Sequence, residues 1–366
     1  MRGSDAAMEA RTDPGRAALI RRVGLGAVAV GLLALALPAF DLAVLDDVPP
    51  WYAPTIGLAV CALGILLTVW AVRTTGLPFA DPRALRRFTK NRGAILGAVL
   101  VGAVSLLAFV GPLAAPFDPN HIHDAGLAAD GTPVGPGALA DDGRPFPLGA
   151  DNLGRDEYSR LLVGGRVSLS VAFIAVAIAG FLGFGAGLLG GYFRGVIDAS
   201  LVGIVDLVLS LPFLLVAIAL NRVIDDPSLF WLCFLLGALS WTTLARVTRS
   251  KVLQVSELEY VQAARALGAT HARIIARHIV PNVLGPAIVI ATTMIANIIL
   301  VESAMSYLGV GVKPPIASWG SMLRDGQELL QYEPRLLLLP GALIVATVFG
   351  FNLLGEGLRD AFDPKE

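Results

Sequence analysis

The stretch VSLSVAFIAVAIAGFLGFGAGLL occupies residues 167–189 and contains no charged side chain. A helix of about 20 apolar residues spans the roughly 30 Å hydrocarbon core of a bilayer. A helix also satisfies every backbone hydrogen bond within itself, which lipid surroundings require. The stretch therefore predicts a transmembrane helix and sets the class of the whole chain.

Similar apolar runs recur along the sequence. They occupy residues 19–40, 53–72, 94–115, 201–220, 228–245, 285–306 and 336–354. Of the 366 residues, 55% are hydrophobic and 16% are charged, whereas soluble domains carry about 25% charged residues. The prediction is an all-α, polytopic membrane helix bundle with about eight transmembrane helices.

The basic residues predict the orientation of these helices. With the N-terminus inside, the inner segments hold 20 of the 28 Lys and Arg residues and the outer segments hold 8. Cytoplasmic loops of membrane proteins carry an excess of Lys and Arg. We therefore expect a multi-pass protein of a bacterial or archaeal cytoplasmic membrane, with both termini in the cytoplasm.

The same pattern divides the chain into unequal parts. Residues 1–72 form an N-terminal extension with two predicted transmembrane helices, and residues 73–93 form a basic cytoplasmic linker. Residues 94–366 contain six predicted helices, a Gly/Pro/Asp-rich outer segment 116–166 that becomes helical near Asp156, and a long inner segment 246–284.

Glycines spaced four residues apart indicate close helix packing. Gly183, Gly187 and Gly191 fall on one helix face, and Gly93 and Gly97 begin another helix. Small residues at this spacing let two membrane helices approach closely, although glycine is also common in membrane helices generally.

The inner hairpin, residues 257–282, is the most informative polar stretch. Its pattern predicts one short helix over 257–267, ended by Gly268 in a left-handed conformation, and a second over 270–279, stopped by Pro281. The apolar positions predicted to share the packed faces are Val261, Ala264, Leu267, Ile274, Ile275 and Ile279. Such a compact knob is suited to fill a groove in a soluble partner.

This hairpin resembles the EAA loop of ATP-binding-cassette (ABC) importer permeases. Ala263, Ala264, Gly268 and Pro281 fit the spacing of that motif, whereas Gln262 replaces its glutamate. The resemblance implies contact with a separate ATPase. The residues that it implicates in coupling are Tyr260, Gln262, Ala263, Ala264, Gly268, Arg273, Arg277, His278 and Pro281.

Other stretches resemble the C-type subunit of dipeptide, oligopeptide and nickel permeases. They are PLGADNLGRD at 147–156, GGYFRGVID at 190–198, ESAMSYLGVGVKPP at 302–315 and NLLGEGLRD at 352–360. The resemblance spans about 85–364 and leaves residues 1–72 outside it, since such subunits usually have six membrane helices.

The resemblance implies a set of partners. These are a second, different permease chain, two cytoplasmic ATPase subunits, an extracytoplasmic solute-binding protein and the lipid bilayer, without nucleic acid. ATP and Mg²⁺ would bind the ATPase partners and no cofactor would bind this chain, whose sequence contains no Gly-x-x-x-x-Gly-Lys-Ser/Thr phosphate loop. The implied solute is a di- or oligopeptide, with nickel or another small solute as the alternative.

Polar residues inside apolar runs are candidates for the translocation pathway. Asp206, Asn297 and Glu302 either line a pathway, pair with another helix or make buried structural hydrogen bonds. Glu302 is also near enough to the outer surface to be solvated. Pro212 removes a helix hydrogen bond and predicts a kink, which serves either a gate or a fixed bend.

The outer segment carries two further candidate clusters. His121 and His123 offer metal-ligand chemistry, but two histidines in a polar loop are expected to be solvent-exposed, and we predict no metal site. Asp151, Arg155 and Asp156 either dock a binding protein or cap and charge-pair a short helix; the structural role is favoured.

Two other function classes fit the sequence less well. An intramembrane enzyme needs a nucleophile with a base, or metal ligands, at membrane depth, yet no histidine lies in any predicted transmembrane helix. A passive channel has no use for a long amphipathic inner hairpin, and nothing in the sequence resembles a carbonyl selectivity filter. The sequence therefore predicts a non-catalytic transporter subunit.

Overall fold

A computed structural model of the chain describes residues 82–224 and 227–362. The predicted helices 19–40 and 53–72, and residues 73–81 of the linker, lie outside the described residues. Within them the secondary structure is helical with three isolated β-bridges and no named strand, which confirms the all-α prediction.

The described part of the chain contains eleven α-helices. They are α1 (Pro82–Lys90), α2 (Arg92–Phe109), α3 (Glu157–Phe193), α4 (Gly195–Ser210), α5 (Phe213–Val223), α6 (Leu229–Ser256), α7 (Glu259–Ala266), α8 (His271–Ile274), α9 (Val280–Tyr307), α10 (Trp319–Gly326) and α11 (Arg335–Phe362). A π-helical turn, Ile275–Ile279, joins α8 to α9.

The helices agree with the prediction of a polytopic bundle between residues 94 and 354. Among the described residues, five helices are long and apolar enough to cross a membrane, and the bent pair α4–α5 meets the same criteria of length and composition when its two helices are taken together. Most of the helices are longer than the apolar runs that predicted them. Helix α3 has 37 residues, about 55 Å at 1.5 Å per residue, because its helical backbone continues outside the hydrocarbon core.

The predicted glycine contacts hold α3 against α6. An added Cβ at Gly187 would lie 2.5 Å from the carbonyl oxygen of Ala245, and one at Gly183 would lie 2.5 Å from that of Trp241. Gly97 plays the same part between α2 and α11, where a Cβ would lie 2.6 Å from the backbone nitrogen of Leu354. These helices pack backbone to backbone, which only glycine permits.

The chain bends sharply at Pro212, as predicted. Helices α4 and α5 meet at 87°, so the predicted span 201–220 is two helices instead of one kinked helix. Pro212 is the N-cap of α5 with extended backbone angles. Because its ring excludes the hydrogen bond that would continue α4, the helix ends two residues earlier.

The outer segment is more ordered than its composition predicts. Three tight turns repeat the same pair of backbone hydrogen bonds, each with a glycine at φ near +80°. These turns are centred on Gly131, Gly143 and Gly154. Phe117, Ala140 and Phe146 form a small core among them.

The expectation that both histidines of this segment face solvent is wrong. His121 is exposed, but His123 is only 5% exposed and makes edge-on contacts with the rings of Phe117 and Phe146. The local aromatic core buries His123, which composition alone did not indicate.

Helix α10 closes the outer end of the bundle and was not predicted. Its N-terminus has a capping box formed by Ser318 and Ser321. The indole of Trp319 is fully buried against Gly165 and donates a hydrogen bond of 3.0 Å to the carbonyl oxygen of Leu161. The outer segment and α10 thus surround the N-terminal end of α3, whereas the inner hairpin lies at its C-terminal end.

Candidate functional site

The first arm of the inner hairpin ends as predicted at Gly268. This residue has φ +80°. The amide of Gly268 donates to the carbonyl of Arg265 and that of Ala269 to the carbonyl of Ala264, at 3.0 and 3.1 Å. This pair of bonds is the Schellman arrangement, which satisfies the carbonyls at a helix end and turns the chain back.

The second arm differs from the prediction, because Pro281 does not stop it. Thr270 caps α8, and the helix passes through the π-turn into α9 and continues to Tyr307. Pro281 lies in the first turn of α9, where the missing N–H is tolerated best. The π-helical turn Ile275–Ile279 before it has a wider hydrogen-bonding pattern than an α-helix, and this change in pattern lets the helix continue past Pro281. The second arm therefore runs directly into a helix long and apolar enough to cross a membrane.

A compact apolar cluster anchors the hairpin to the bundle. Val261 of the first arm and Ile274 and Ile279 of the second are fully buried. They pack against Tyr192 at the end of α3 and Val252 of α6. The hairpin is therefore packed against α3 and α6 and is continuous with α9.

The prediction that Leu267 shares the packed face is wrong. Its side chain is 88% exposed, whereas Val261 is 0% exposed. Leu267 is the C-cap of α7, and the chain reverses there, so its side chain projects away from the bundle. Leu267 is therefore an exposed apolar side chain at the tip of the hairpin.

A chain of polar contacts joins the first arm to the α3–α4 elbow. The amide nitrogen of Gln262 donates to the backbone carbonyl and to the carboxylate of Glu257, each at 3.3 Å. That carboxylate also pairs with the guanidinium of Arg194 between α3 and α4. Arg194 has φ +54°, a conformation that a non-glycine residue adopts only when its surroundings hold it there.

Polar contacts join the second arm of the hairpin to α3 and to the first arm. The hydroxyl of Tyr192 and Nδ1 of His271 are hydrogen-bonded at 2.8 Å. Asn282 donates to the hydroxyl of Tyr260 at 3.2 Å and to the carbonyl of His278 at 2.6 Å. The two arms are thus tied together by side chains as well as by the apolar cluster.

The remaining predicted coupling residues lie on the hairpin surface. Ala263, Arg273 and Arg277 are exposed, Ala264 is half-buried and His278 is half-buried. Together with Leu267 they give the hairpin an exposed face that combines an apolar tip with two cations.

Asp206 lies beside Arg246 of α6 in a cavity of about 260 Å³ between α3, α4 and α6. The carboxylate and the guanidinium are 3.1 Å apart. Arg249, which also lines this cavity, pairs with Asp198 through two hydrogen bonds. No sequence motif marks Arg246 as a functional residue. Its pairing with Asp206 depends on how α4 and α6 cross, which the sequence does not reveal.

The other pathway candidates do not join this cavity. Asn297 is exposed on α9. Glu302 is fully buried, so the solvated alternative is wrong: its carboxylate accepts hydrogen bonds from Ser306 at 2.7 Å and Ser168 at 3.1 Å. Glu302 therefore links α9 to α3.

The outer acidic and basic residues form a buried cluster with a structural role. Asp151 accepts from Arg155 at 2.7 Å and from Arg160 at 3.1 Å, and both arginines also reach Asp325 of α10. Asp156 caps α3 by accepting hydrogen bonds from Ser159. Burial raises the pKa of the Asp156 carboxyl, against the opposing effect of the hydrogen bonds from Ser159.

Metal-ligand chemistry is not assembled in the described part of the chain. No group of three or more His, Cys, Asp or Glu side chains there could hold a metal ion. His123 lies 3.4 Å from Asp141, which is a two-residue contact.

Comparison with known proteins assigns the family. Residues 167–366, which include α4, α6, the whole inner hairpin and most of α3, match the family model described as "Binding-protein-dependent transport system inner membrane component". The chain belongs to this family. Residues 83–129 of this transport component match a second model, the "N-terminal TM domain of oligopeptide transport permease C".

Named relatives agree with both models. The transport component is 35% identical over 296 residues to the dipeptide transport system permease protein DppC of Haemophilus influenzae, covering 80% of this chain and 98% of the relative. It is 36% identical over 282 residues to the oligopeptide transport system permease protein OppC of Bacillus subtilis, covering 77% and 88%. The OppC protein of Escherichia coli is 35% identical over 286 residues, covering 77% and 90%.

Proposed function

We propose that this permease forms half of the translocation pathway of an ATP-driven importer for di- and oligopeptides, and that its inner hairpin couples it to a separate ATPase. The coupling proposal is supported by the exposed side chain of Leu267 at the tip of a hairpin whose base is packed against the bundle. A partner that grips this tip can move α3, α6 and α9 together, because the apolar cluster joins the hairpin to all three.

The coupling surface consists of the residues that the motif implicates. Tyr260, Gln262, Ala263, Ala264, Gly268, Arg273, Arg277, His278 and Pro281 form or shape it. Two ATPase subunits, which hold ATP and Mg²⁺, would each grip one such hairpin, one on this chain and one on a second permease chain. ATP-driven closure of the ATPases then rocks the helices in a hinge-type motion. In this scheme the chain itself is non-catalytic.

The proposed orientation puts both termini and the hairpin in the cytoplasm. The 20 to 8 distribution of Lys and Arg supports it, as does the location of the hairpin and the outer segment at opposite ends of α3. An extracytoplasmic binding protein would then deliver solute at the end occupied by the outer segment and α10. Residues 1–72 would form an extension that precedes the transport core and is joined to it by the linker 73–93.

Peptides are the proposed solute because the relatives are named for dipeptide and oligopeptide transport. Nickel or another small solute is the alternative within the same family. Asp206, Pro212, Asn297 and Glu302 remain candidates for shaping the pathway, Asp206 through its cavity and Pro212 through the bend between α4 and α5.

Co-isolation with an ATPase tests the coupling proposal. Affinity-purified chain from its native membrane is expected to bring Mg²⁺-dependent ATP hydrolysis with it. Leu267→Asp should remove most of that activity without lowering the thermal unfolding temperature, because its side chain packs little against the bundle. Deleting the hairpin is a poorer test, since its second arm continues into a membrane helix.

Leu139→Asp is the matched control, since Leu139 is 62% exposed at the opposite end of the chain. It should leave the co-isolated ATPase unchanged. Equal ATPase recovery with Leu267→Asp and with the unaltered chain would rule out the hairpin tip as the docking site. Labelling of Ala266→Cys only after membrane permeabilisation would support the inward orientation, and labelling in intact cells would reverse it.

A further inference from the structure

We propose that Asp206 and Arg246 form a transit site that recognises the two charged ends of a zwitterionic peptide. This inference rests on the proposed function and identifies where in the chain its solute is recognised by charge. The ammonium group of the peptide would pair with Asp206, and the carboxylate of the peptide would pair with Arg246. Binding would thus replace the ion pair between Asp206 and Arg246 by two ion pairs between protein and peptide.

The position of the pair within the bundle supports this proposal. Asp206 is eleven residues into α4 from its start at Gly195, and Arg246 is ten residues before the end of α6 at Ser256. At 1.5 Å per residue, both lie about 15 Å along their helices from the level of the hairpin. Asp206 lies within the predicted span 201–220, where a charged side chain is strongly disfavoured against lipid and is expected to face water or protein. Arg246 lies at the boundary between the predicted span 228–245 and the inner segment 246–284.

The pair is also accessible and loosely held. The side chains of Asp206 and Arg246 are 62% and 60% exposed, and a single 3.1 Å contact joins them. Within the part of the chain that the structure describes, neither has another ion-pair partner. Exposed pairs of this kind contribute little to stability, so their groups are available to a ligand.

The neighbouring pair provides a contrast in the same cavity. Arg249 binds Asp198 through two parallel hydrogen bonds, and both side chains are more buried, at 33% and 17% exposed. This bidentate geometry satisfies each group and ties α6 to α4. The pair of Arg249 and Asp198 therefore has a structural role. The pair of Asp206 and Arg246 keeps unused hydrogen-bonding capacity.

The cavity suits a small peptide. Its volume of about 260 Å³ is close to the lower end of the roughly 300–1,000 Å³ found for small-molecule sites. Small residues from α3 form one wall and Trp241 and Val205 provide apolar surface. An extended dipeptide spans about 7 Å between its ends, and rotamer changes of the long Arg246 side chain can open that separation from Asp206. A site for passage must bind weakly enough to release its ligand, which one loose ion pair allows.

Protection from chemical labelling tests the site directly. The probe is a single cysteine at the cavity wall, Val202→Cys. It is introduced into the full-length chain after the two native cysteines are replaced (Cys61→Ala, Cys233→Ala). The protein is reconstituted in nanodiscs together with the partners that co-isolate with it, and no binding protein is added. Alanyl-alanine at about ten times its dissociation constant should slow labelling by a methanethiosulfonate reagent about tenfold, since occupied sites exceed free ones by that ratio. The uncharged N-acetyl-alanyl-alanine amide should not slow it.

Charge-removing variants identify the groups responsible. Asp206→Asn and Arg246→Gln should each abolish the protection, whereas Lys251→Gln should not, because Lys251 lies on the same helix but bonds only to Gln254 among the described residues. If a single variant fails to fold, the exchanged pair Asp206→Arg with Arg246→Asp retains both charges and should retain protection.

Equal protection by the capped peptide would overturn the proposal, as would no protection by either peptide or protection that survives Asp206→Asn. These outcomes are separate from the proposed function. A chain that co-isolates with an ATPase but shows no charge-dependent protection retains its assignment as an importer subunit and loses only the transit site. Charge-dependent protection of the cysteine in a chain that co-isolates with no ATPase would support the transit site and count against the proposed coupling to an ATPase.

Discussion

The side-chain amide of Gln262 donates to both the backbone carbonyl and the carboxylate of Glu257, at 3.3 Å in each case. An amide can donate, whereas the glutamate of the motif that this hairpin resembles can only accept when ionised. The substitution thus fits the local chemistry, since Glu257 already supplies a carboxylate that pairs with Arg194.

Gln262→Glu should loosen the hairpin. It removes two donated hydrogen bonds and sets two carboxylates side by side, and at this exposed site we expect a loss of about 0.5 kcal/mol in unfolding free energy. Thermal or denaturant unfolding of the purified chain measures it. Combining it with Glu257→Gln should recover part of the loss, because one amide again faces one carboxylate. Strictly additive effects in this double-mutant cycle would contradict the contact.

Gly187→Ala should destabilise the bundle strongly. Its new Cβ would lie 2.5 Å from the carbonyl oxygen of Ala245 and 2.7 Å from Cβ of Thr248, so α3 and α6 must separate. Overpacking of this kind costs about 1–3 kcal/mol. Gly185→Ala is the matched control on the same helix, where a Cβ meets nothing within 4 Å. Equal unfolding temperatures for the two variants would argue against this helix contact.

Gly268→Ala should weaken the hairpin for a conformational reason. A Cβ there meets nothing within 4 Å, but φ is +80°, and the left-handed region costs an L-residue about 1–2 kcal/mol. Gly102→Ala provides the comparison, because Gly102 lies in α2 with open space around it, and alanine there should be neutral or stabilising. The decisive measurements are protease sensitivity of the hairpin and ATPase co-isolation; a Gly268→Ala chain that matches the unaltered one in both would disprove the prediction.

Asp151→Asn should destabilise the outer end of the molecule. It leaves the guanidinium groups of Arg155 and Arg160 buried with less compensating charge, and breaking a buried pair costs about 3–5 kcal/mol. Asp142→Asn is the control, since Asp142 pairs with Arg144 at the surface, where such pairs contribute little to stability. Limited proteolysis of residues 116–156 and thermal unfolding should separate the two variants. Similar behaviour of both would mean that the buried cluster does not stabilise this end.

The hairpin illustrates where local sequence stops being sufficient. The glycine turn was predictable because it depends on hydrogen bonds between residues five apart or fewer. The continuation through Pro281 was not, because it depends on a π-turn that absorbs the register change. Leu267 and Val261 have similar apolar character, and only the reversal of the chain separates the exposed tip from the buried face.

The sequence by itself determined the bilayer surroundings, the position of the long apolar helices and the glycines at which helices approach closely. Apolar run length against bilayer thickness, and the four-residue glycine spacing, are properties of a single chain segment. The tertiary structure decided which polar groups meet: Asp206 with Arg246, Glu302 with Ser168 and Asp151 with Arg160. Each of those pairs joins different structural elements or widely separated parts of the chain, so its partners become neighbours only after backbone packing fixes how the elements cross.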